Sequence, residues 1–218
     1  MKDLPIFTTP SGTASLILRE IPYKKTAYVL VRSVLPGGMG ETLSECRAFC
    51  VQAGAERVLA SADGPLGLPH DHDMLELSRP KSGLPAPEPP VPLVPVTREN
   101  VPDYQAVYNR LFTPIPGAAT CHGAELARLL SSGGAFLAMR DGQPAGIGET
   151  DGSELRAVGV LPEYRGLGRR LTLTLLDKLE GPELFLRVSS ANGRAMRLYE
   201  RLGFQQRGVL SRWYLVTG

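Results

Sequence analysis

The feature that most constrains the fold is the segment 191–204, near the end of the chain. Asn192 is suited to begin a helix, because its side chain can accept a hydrogen bond from a backbone N–H of the first turn. Tyr199 follows two turns later on the same helix face. Gly203 suits the left-handed position that ends a helix, and Phe204 can then begin a strand. The segment therefore predicts a short helix with a tyrosine near its end.

A second segment, 158–171, lies upstream of the first and passes from an apolar strand through a glycine-containing turn into a helix. Glycines in such a turn permit positive φ and close approach to a ligand, and the free N–H groups at the helix start attract anions. Nearby arginines add positive charge. The residues singled out are Val158, Gly159, Val160, Arg165, Gly166, Leu167, Gly168, Arg169 and Arg170.

Together, in this order and spacing, the two segments resemble the acyl-CoA-binding half of the GNAT superfamily of N-acyltransferases. The resemblance implies a mixed α/β sheet with helices on both faces, and acetyl transfer from acetyl-CoA to an amine. It implies no metal. The expected acceptor is a small-molecule or peptide amine, which the sequence does not identify.

The resemblance assigns roles to individual residues. Coenzyme A presents a diphosphate, two pantetheine amides and a thioester, which suit the 165–170 turn and the backbone of the 158–160 strand. Tyr199 holds the family's position for the acid that protonates the leaving thiolate, and Asn192 matches an asparagine that contacts the cofactor. We nominate Glu149 as the general base, a role that varies among family members.

The phosphate loop departs from the family pattern, Gln/Arg-x-x-Gly-x-Gly/Ala. Arg165 and Gly168 fit this pattern, but Arg170 stands where Gly or Ala is usual. Alternatively the loop is two residues short, and residues 166–169 form its end. With either alignment the loop differs from the family pattern, so the cofactor could bind weakly or in an altered way.

Proline density predicts the domain organisation. Seven prolines between Arg79 and Val96 favour an extended linker, since proline lacks a backbone donor. We therefore expect a smaller α/β domain over 1–80, a linker over 81–90 and a GNAT domain over 91–218.

The apolar patterns and turn residues predict the elements of the C-terminal domain. Asp141-Gly142 predicts a hairpin turn between strands at 135–140 and 143–149, and Asp151-Gly152 a second turn. The other predicted strands cover 91–97, 154–161, 183–189 and one or two within 204–216. The predicted helices cover 101–112, 123–131, 169–180 and 192–201.

The N-terminal domain is expected to repeat part of this plan, with strands at 28–35, 56–61 and 74–77 and a helix at 41–53. Its turn, residues 35–40, aligns with residues 165–170 but has Leu35 in place of the arginine. No counterpart of the tyrosine helix precedes the linker. We interpret this part as a degenerate partial copy of the fold.

Composition bounds the classes of function. A formal net charge of +2 gives no bulk attraction to nucleic acid, and no apolar run is long enough to span a bilayer. Three cysteines cannot form a disulfide framework, and we expect Cys46 and Cys50 to be buried apolar residues. We expect a cytoplasmic protein, monomeric or homodimeric, that binds neither nucleic acid nor membrane.

Two further function classes stay open at this stage. One is a catalytically inactive acyl-CoA-binding or protein-interaction module, and the other is an α/β protein that binds NAD or ATP. The cluster His70-Asp71-His72-Asp73 resembles a metal site but offers only two imidazoles, so a solvated loop is predicted there.

Overall fold

The computed structural model describes residues 5–217. The chain divides into two compact units, one made of the residues up to Met74 and from Val209 on, the other running from Leu75 to Gly208. This division differs from the sequence expectation, which placed the boundary in the proline-rich segment. That segment lies within the second unit, where Val91 is buried and its N–H donates to Thr174 Oγ1 at 3.0 Å.

The first unit has a mixed sheet and one long helix. Its strands are β1 (Ile6–Thr9), β2 (Gly12–Ile17), β3 (Thr26–Val34) and β4 (Arg57–Ser61), and its helices are α1 (Ile21–Lys24) and α2 (Met39–Gln52). The first three strands pair antiparallel, and β3 pairs parallel with β4 across the α2 crossover. Cys46 and Cys50 of α2 are fully buried in this unit's core, as predicted.

The second unit carries the longer meander and most of the helices. Its elements are β6 (Leu93–Pro95), α3 (Val101–Phe112), α4 (Ala124–Ser132), β7 (Ala135–Arg140), β8 (Gln143–Asp151), β9 (Glu154–Val160), α5 (Gly168–Lys178), β10 (Glu183–Ser189) and α6 (Gly193–Arg201). Strands β6 to β9 pair antiparallel, and β9 pairs parallel with β10 across α5. The two division points of the chain fall within the remaining strands, β5 (His70–Pro80) and β11 (Gln205–Leu215).

Glycines show how closely helices pack on both faces of the second unit's sheet. A Cβ added at Gly148 would lie 2.4 Å from Leu175 of α5, and one at Gly159 would lie 2.8 Å from Leu111 of α3. Adjacent strand residues point to opposite faces, so these glycines let α5 and α3 approach the sheet from opposite sides. The predicted mixed sheet with helices on both faces is confirmed.

Local turn predictions are also confirmed. Asp141 and Gly142 have φ of 52° and 75°, the conformation that a tight hairpin between β7 and β8 requires. Gly203 has φ of 81° and ends α6. Residues 204–216 hold a single strand, β11.

Other predictions were wrong or incomplete. The sequence analysis predicted no element before residue 28, where the structure has β1, β2 and α1. The predicted loop at residues 70–73 is the start of β5, and His72 is only 1% exposed. Within residues 5–217 no helix is long and apolar enough to cross a membrane, and no group of three His, Cys, Asp or Glu residues is placed to hold a metal ion.

Candidate active site

The parallel strands β9 and β10 pair at one end and then diverge. Their pairing joins Glu154 to Phe185 and Leu155 to Leu186, and in the described chain it extends no further. Beyond this point β9 continues to Val160, paired on its other side with β8. The residues of β9 nominated for the cofactor, 158–160, therefore lie where the two strands have separated. An open strand edge of this kind can bind the amides of an extended ligand.

The turn after β9 leaves room for a ligand at the start of α5. Gly166 has φ of 95°, which favours glycine, and Gly168 is the first residue of the helix. A Cβ added at either position would meet nothing within 4 Å. Leu167 between them is buried in the core and anchors the turn. The first N–H groups of a helix have no intrahelical acceptor, so the turn can hold an anion such as a diphosphate.

The arginines of the turn differ in exposure. Arg165 and Arg169 are exposed, whereas Arg170 is half-buried and its Nε is buried without a hydrogen-bond partner in the described chain. Arg170 lines a cleft of about 450 Å³ together with Met139, Arg140 and Asp141. The residue that departs from the family pattern thus lies in the first turn of α5, beside the hairpin between β7 and β8.

Asn192 immediately precedes helix α6, and Tyr199 lies near its end. Asn192 Oδ1 accepts a hydrogen bond from the Ala195 N–H at 3.2 Å, so the predicted N-cap is confirmed. Tyr199 is 7% exposed and packs edge-on against Phe204, with ring centroids 5.8 Å apart. Burial raises the pKa of Tyr199 above its ordinary value, so its hydroxyl stays protonated at neutral pH.

The core cluster that holds Tyr199 reaches the open edge of β9. Val158 and Val160 are partly buried against this cluster, which also contains Leu175 of α5 and Leu186 of β10. Tyr199 therefore belongs to the layer on the α5 side of the sheet.

Glu149 lies on the opposite face. It stands beside Ala157 of β9 in the sheet register, and Ala157 packs in the cluster with Tyr104 of α3. Glu149 is 3% exposed, and its Oε1 accepts from Arg128 Nη2 of α4 at 2.6 Å. Burial raises the pKa of Glu149, whereas the Arg128 guanidinium works in the opposite direction.

Glu149 and Tyr199 thus lie on opposite faces of the sheet. A carboxylate on the α3 side and a phenol on the α5 side would normally be separated by the sheet. Where two neighbouring strands diverge, a ligand between them is open to groups from both faces. Beyond Leu155 and Leu186, β9 and β10 leave such a gap.

Several residues around Glu149 were not predicted from the sequence. Arg128 pairs with it, and Tyr104 lies fully buried nearby with a hydroxyl that has no hydrogen-bond partner in the described chain. Both residues come from helices whose amphipathic spacing was recognised, but no motif marked them. Cys121 is buried as well, and burial raises its pKa to about 12, which argues against a nucleophilic thiol.

Comparison with known proteins places this geometry in a family. The family described as "Acetyltransferase (GNAT) family" matches residues 96–204, which cover α3 to α6 and half of the chain. The chain belongs to the GNAT acetyltransferase family. The matched region contains all of the nominated site residues.

Bacterial acetyltransferases are among the relatives of this chain. The N-alpha-acetyltransferase RimI of Mycobacterium tuberculosis is 43% identical over 67 residues, which are 30% of this chain and 42% of that protein. The mycothiol acetyltransferase of Streptomyces coelicolor is 32% identical over 163 residues, 64% of this chain and 52% of that protein. The chain thus spans about half the length of the curated relatives that it matches.

Solved GNAT structures share the fold over nearly the whole chain. A GCN5-related N-acetyltransferase from Kribbella flavida superposes with a TM-score of 0.59 at 18% identity, covering 100% of this chain and 91% of that one. A tandem GNAT protein from the clavulanic acid biosynthesis pathway gives a TM-score of 0.54 at 19% identity, covering 94% and 78%. At these identities the likeness shows the fold, including a two-domain GNAT arrangement.

Proposed function

We propose that this protein transfers an acetyl group from acetyl-CoA to the amine of an acceptor, by direct attack of the amine on the thioester. The observation that carries the proposal is the parting of β9 from β10 after Leu155 and Leu186, followed by an open glycine turn at the start of α5. Membership of the GNAT acetyltransferase family supports it. The unit from Leu75 to Gly208 contains every residue involved.

The residues of this unit suit each part of the acyl donor. The backbone of Val158, Gly159 and Val160 would pair with the pantetheine amides. The N–H groups of Gly168, Arg169 and Arg170, with the Arg165 side chain, would hold the diphosphate. Asn192 Oδ1 is engaged in capping α6, so its amide NH₂ is the group that would contact the donor.

Two side chains would move the protons. Glu149 accepts a proton from the acceptor ammonium, and the neutral nitrogen then attacks the thioester carbon. A backbone N–H of β9 stabilises the negative oxygen that forms. When the carbon–sulfur bond breaks, Tyr199 donates its proton to the leaving sulfur. The nitrogen loses its second proton to water, and exchange with water then returns a proton to the Tyr199 oxygen and removes the one held by Glu149.

The names of the relatives suggest two acceptor classes to try. One relative is an N-alpha-acetyltransferase and another is a mycothiol acetyltransferase. A protein N-terminal amine and a small-molecule amine are therefore both candidate acceptors for this chain.

Thiol release from acetyl-CoA, followed with a peptide bearing a free N-terminal alanine and with the amine precursor of mycothiol, tests the proposal. Tyr199→Phe should lower kcat by roughly 10²-fold or more, because one general-acid contribution is lost. It should leave acetyl-CoA affinity unchanged, because only the hydroxyl is removed.

Tyr214→Phe is the matched control. Tyr214 is equally buried, at 7% exposure, and packs edge-on against His70 at 5.7 Å, but it belongs to the other unit. A wild-type rate for Tyr199→Phe would remove its role as the acid. Thermal stabilisation by acetyl-CoA without thiol release for any amine would favour the alternative, an inactive acyl-CoA-binding module.

A further inference from the structure

Arg128 lies between two carboxylates of different exposure. Its Nη2 donates to Glu125 Oε1 at 2.5 Å and to Glu149 Oε1 at 2.6 Å, and its Nε donates to Glu125 Oε1 at 3.0 Å. The Glu149 side chain is 4% exposed, whereas that of Glu125 is 40% exposed. One guanidinium on α4 therefore joins a surface carboxylate to a buried one.

A buried carboxylate needs such a partner to remain charged. Removal from water disfavours the ionised form, and an opposite charge within a few ångströms restores it. Within residues 5–217 a second cation lies near Glu149: Arg156 Nε is 3.4 Å from Glu149 Oε1, but Arg156 also pairs with Asp151 at 2.7 Å. Arg128 thus makes the shorter contact with Glu149.

Among the residues that the structure describes, the remaining groups that act on Glu149 bring no positive charge. Tyr104 and Tyr108 of α3 have pKa values raised by burial and by Glu149 itself, so both are neutral. Cys121, in the segment before α4, is also neutral. The nearby Glu125 carboxyl raises the pKa of Glu149 and so acts against its ionisation. The charge state of Glu149 is therefore controlled mainly by Arg128, with Arg156 in a secondary role.

We propose that Arg128 is a positioning residue for the acetyl transfer: it holds Glu149 in place as a carboxylate, ready to accept a proton from the acceptor amine. This inference rests on the proposed function, in which Glu149 is the base. In the described chain both cations contact Oε1, which leaves Oε2 for the proton. Glu125 holds the guanidinium from its other side.

The direct test measures the ionisation of Glu149 without any acceptor. In protein carrying ¹³C-labelled glutamate, the Cδ resonance of Glu149 is assigned with Glu149→Gln and titrated in the wild type and in Arg128→Met. The Glu149 pKa should rise by about one to three units when the guanidinium is removed. Arg128→Lys keeps a charge but loses the planar fork, so it should give a smaller rise.

Glu125→Gln is the matched control on the same helix. It removes a partner of Arg128 but keeps the contact with Glu149, so the Glu149 pKa should stay unchanged or fall. Circular dichroism and stabilisation by acetyl-CoA report whether each variant is folded. If Arg128→Met does not fold, Arg128→Lys decides the question. An unchanged Glu149 pKa in the folded variants overturns the proposal for Arg128.

A kinetic measurement distinguishes failure of the proposal for Arg128 from failure of the proposed function. With one acceptor used throughout, the acid limb of the kcat/KM–pH profile should move upward in Arg128→Met by the same amount as the Glu149 titration. If the titration moves and the limb does not, Glu149 is not the base, and the function assigned to it fails.

Discussion

Gly168 offers a perturbation whose effects on stability and on binding should have opposite signs. It is the first residue of α5, its φ lies outside the left-handed region, and an added Cβ would meet nothing within 4 Å. Neither backbone conformation nor packing therefore requires glycine there. A glycine in a helix costs about 0.5–1 kcal/mol relative to alanine. At the helix start we expect Gly168→Leu to stabilise the free protein by about 0.5 kcal/mol, since leucine is a good helix former.

The same substitution should weaken donor binding. The leucine side chain would cover the N–H groups at the start of α5, and each hydrogen bond to a charged group is worth about 1.5–3 kcal/mol. Loss of one such bond predicts a Kd for acetyl-CoA that is about 10- to 150-fold higher. Titration calorimetry measures this, and a thermal scan without ligand should show a midpoint about 1–2 °C higher.

Gly38 provides the matched control at the start of α2. A Cβ there would lie 2.8 Å from Ser11 Cβ and 3.0 Å from the Ser11 carbonyl oxygen, so Gly38→Ala should lower the thermal midpoint. It should leave the affinity for acetyl-CoA unchanged. Wild-type affinity in Gly168→Leu, or an equal loss in Gly38→Ala, would refute the reasoning.

Two further predictions concern buried polar groups. Tyr104→Phe should stabilise the protein by about 1 kcal/mol in urea unfolding, because a buried hydroxyl without a partner is costly, and a loss of stability would reveal a partner for it. The thiols should resist Ellman's reagent at pH 8 until the protein is unfolded, because burial raises the pKa of Cys46 and Cys50 to about 11 and that of Cys121 to about 12. Rapid labelling of the native protein would contradict this.

The sequence predicted best those features that depend on neighbouring residues. Asn192 caps α6, Gly203 ends it, and Asp141-Gly142 turns the hairpin, because each conformation follows from chemistry within a few residues. The helix at 101–112 and the strand at 183–189 were predicted with the bounds that the structure shows. In these segments the apolar spacing and the flanking turn residues agree.

The features that the sequence did not predict depend on distant partners. The segment 70–73 is polar and suggested a loop, but His72 is buried with its ring stacked on Trp213 at 6.3 Å. Its Nδ1 bonds the adjacent Asp71 Oδ2 at 2.7 Å, but the ring is covered by Trp213, which is distant in the sequence. Because Trp213 lies about 140 residues further along the chain, no pattern around residues 70–73 predicts this contact.

The residues of the candidate site show the same difference between local motifs and distant partners. The glycine turn and the tyrosine helix were visible as motifs, because ligand geometry fixes residue types at short spacing. Arg128 and Glu149 are 21 residues apart on a helix and a strand, and either could equally be a solvated surface charge. Only the structure, in which Arg128 Nη2 lies 2.6 Å from Glu149 Oε1, shows that the two are paired. Residues that act through another residue are thus the ones that sequence reading misses.

The two strand–turn–helix–strand segments of the chain show which features a ligand requires. In both, a glycine of positive φ precedes the helix by two residues: Gly37 before α2, with φ of 78°, and Gly166 before α5, with φ of 95°. The structure thus shifts the sequence alignment of the two turns by one residue. The shared chain path supports the interpretation of the first unit as a degenerate copy.

The differences all disfavour an anion in the first unit. Strands β3 and β4 pair over five positions, whereas β9 and β10 pair over two. The first turn of α2 contains Glu41, which accepts a hydrogen bond from Ser11, whereas that of α5 has no acidic residue. Gly38 is required by packing, but Gly168 faces open space. Of the two turns, the one before α5 is therefore the better suited to an anion.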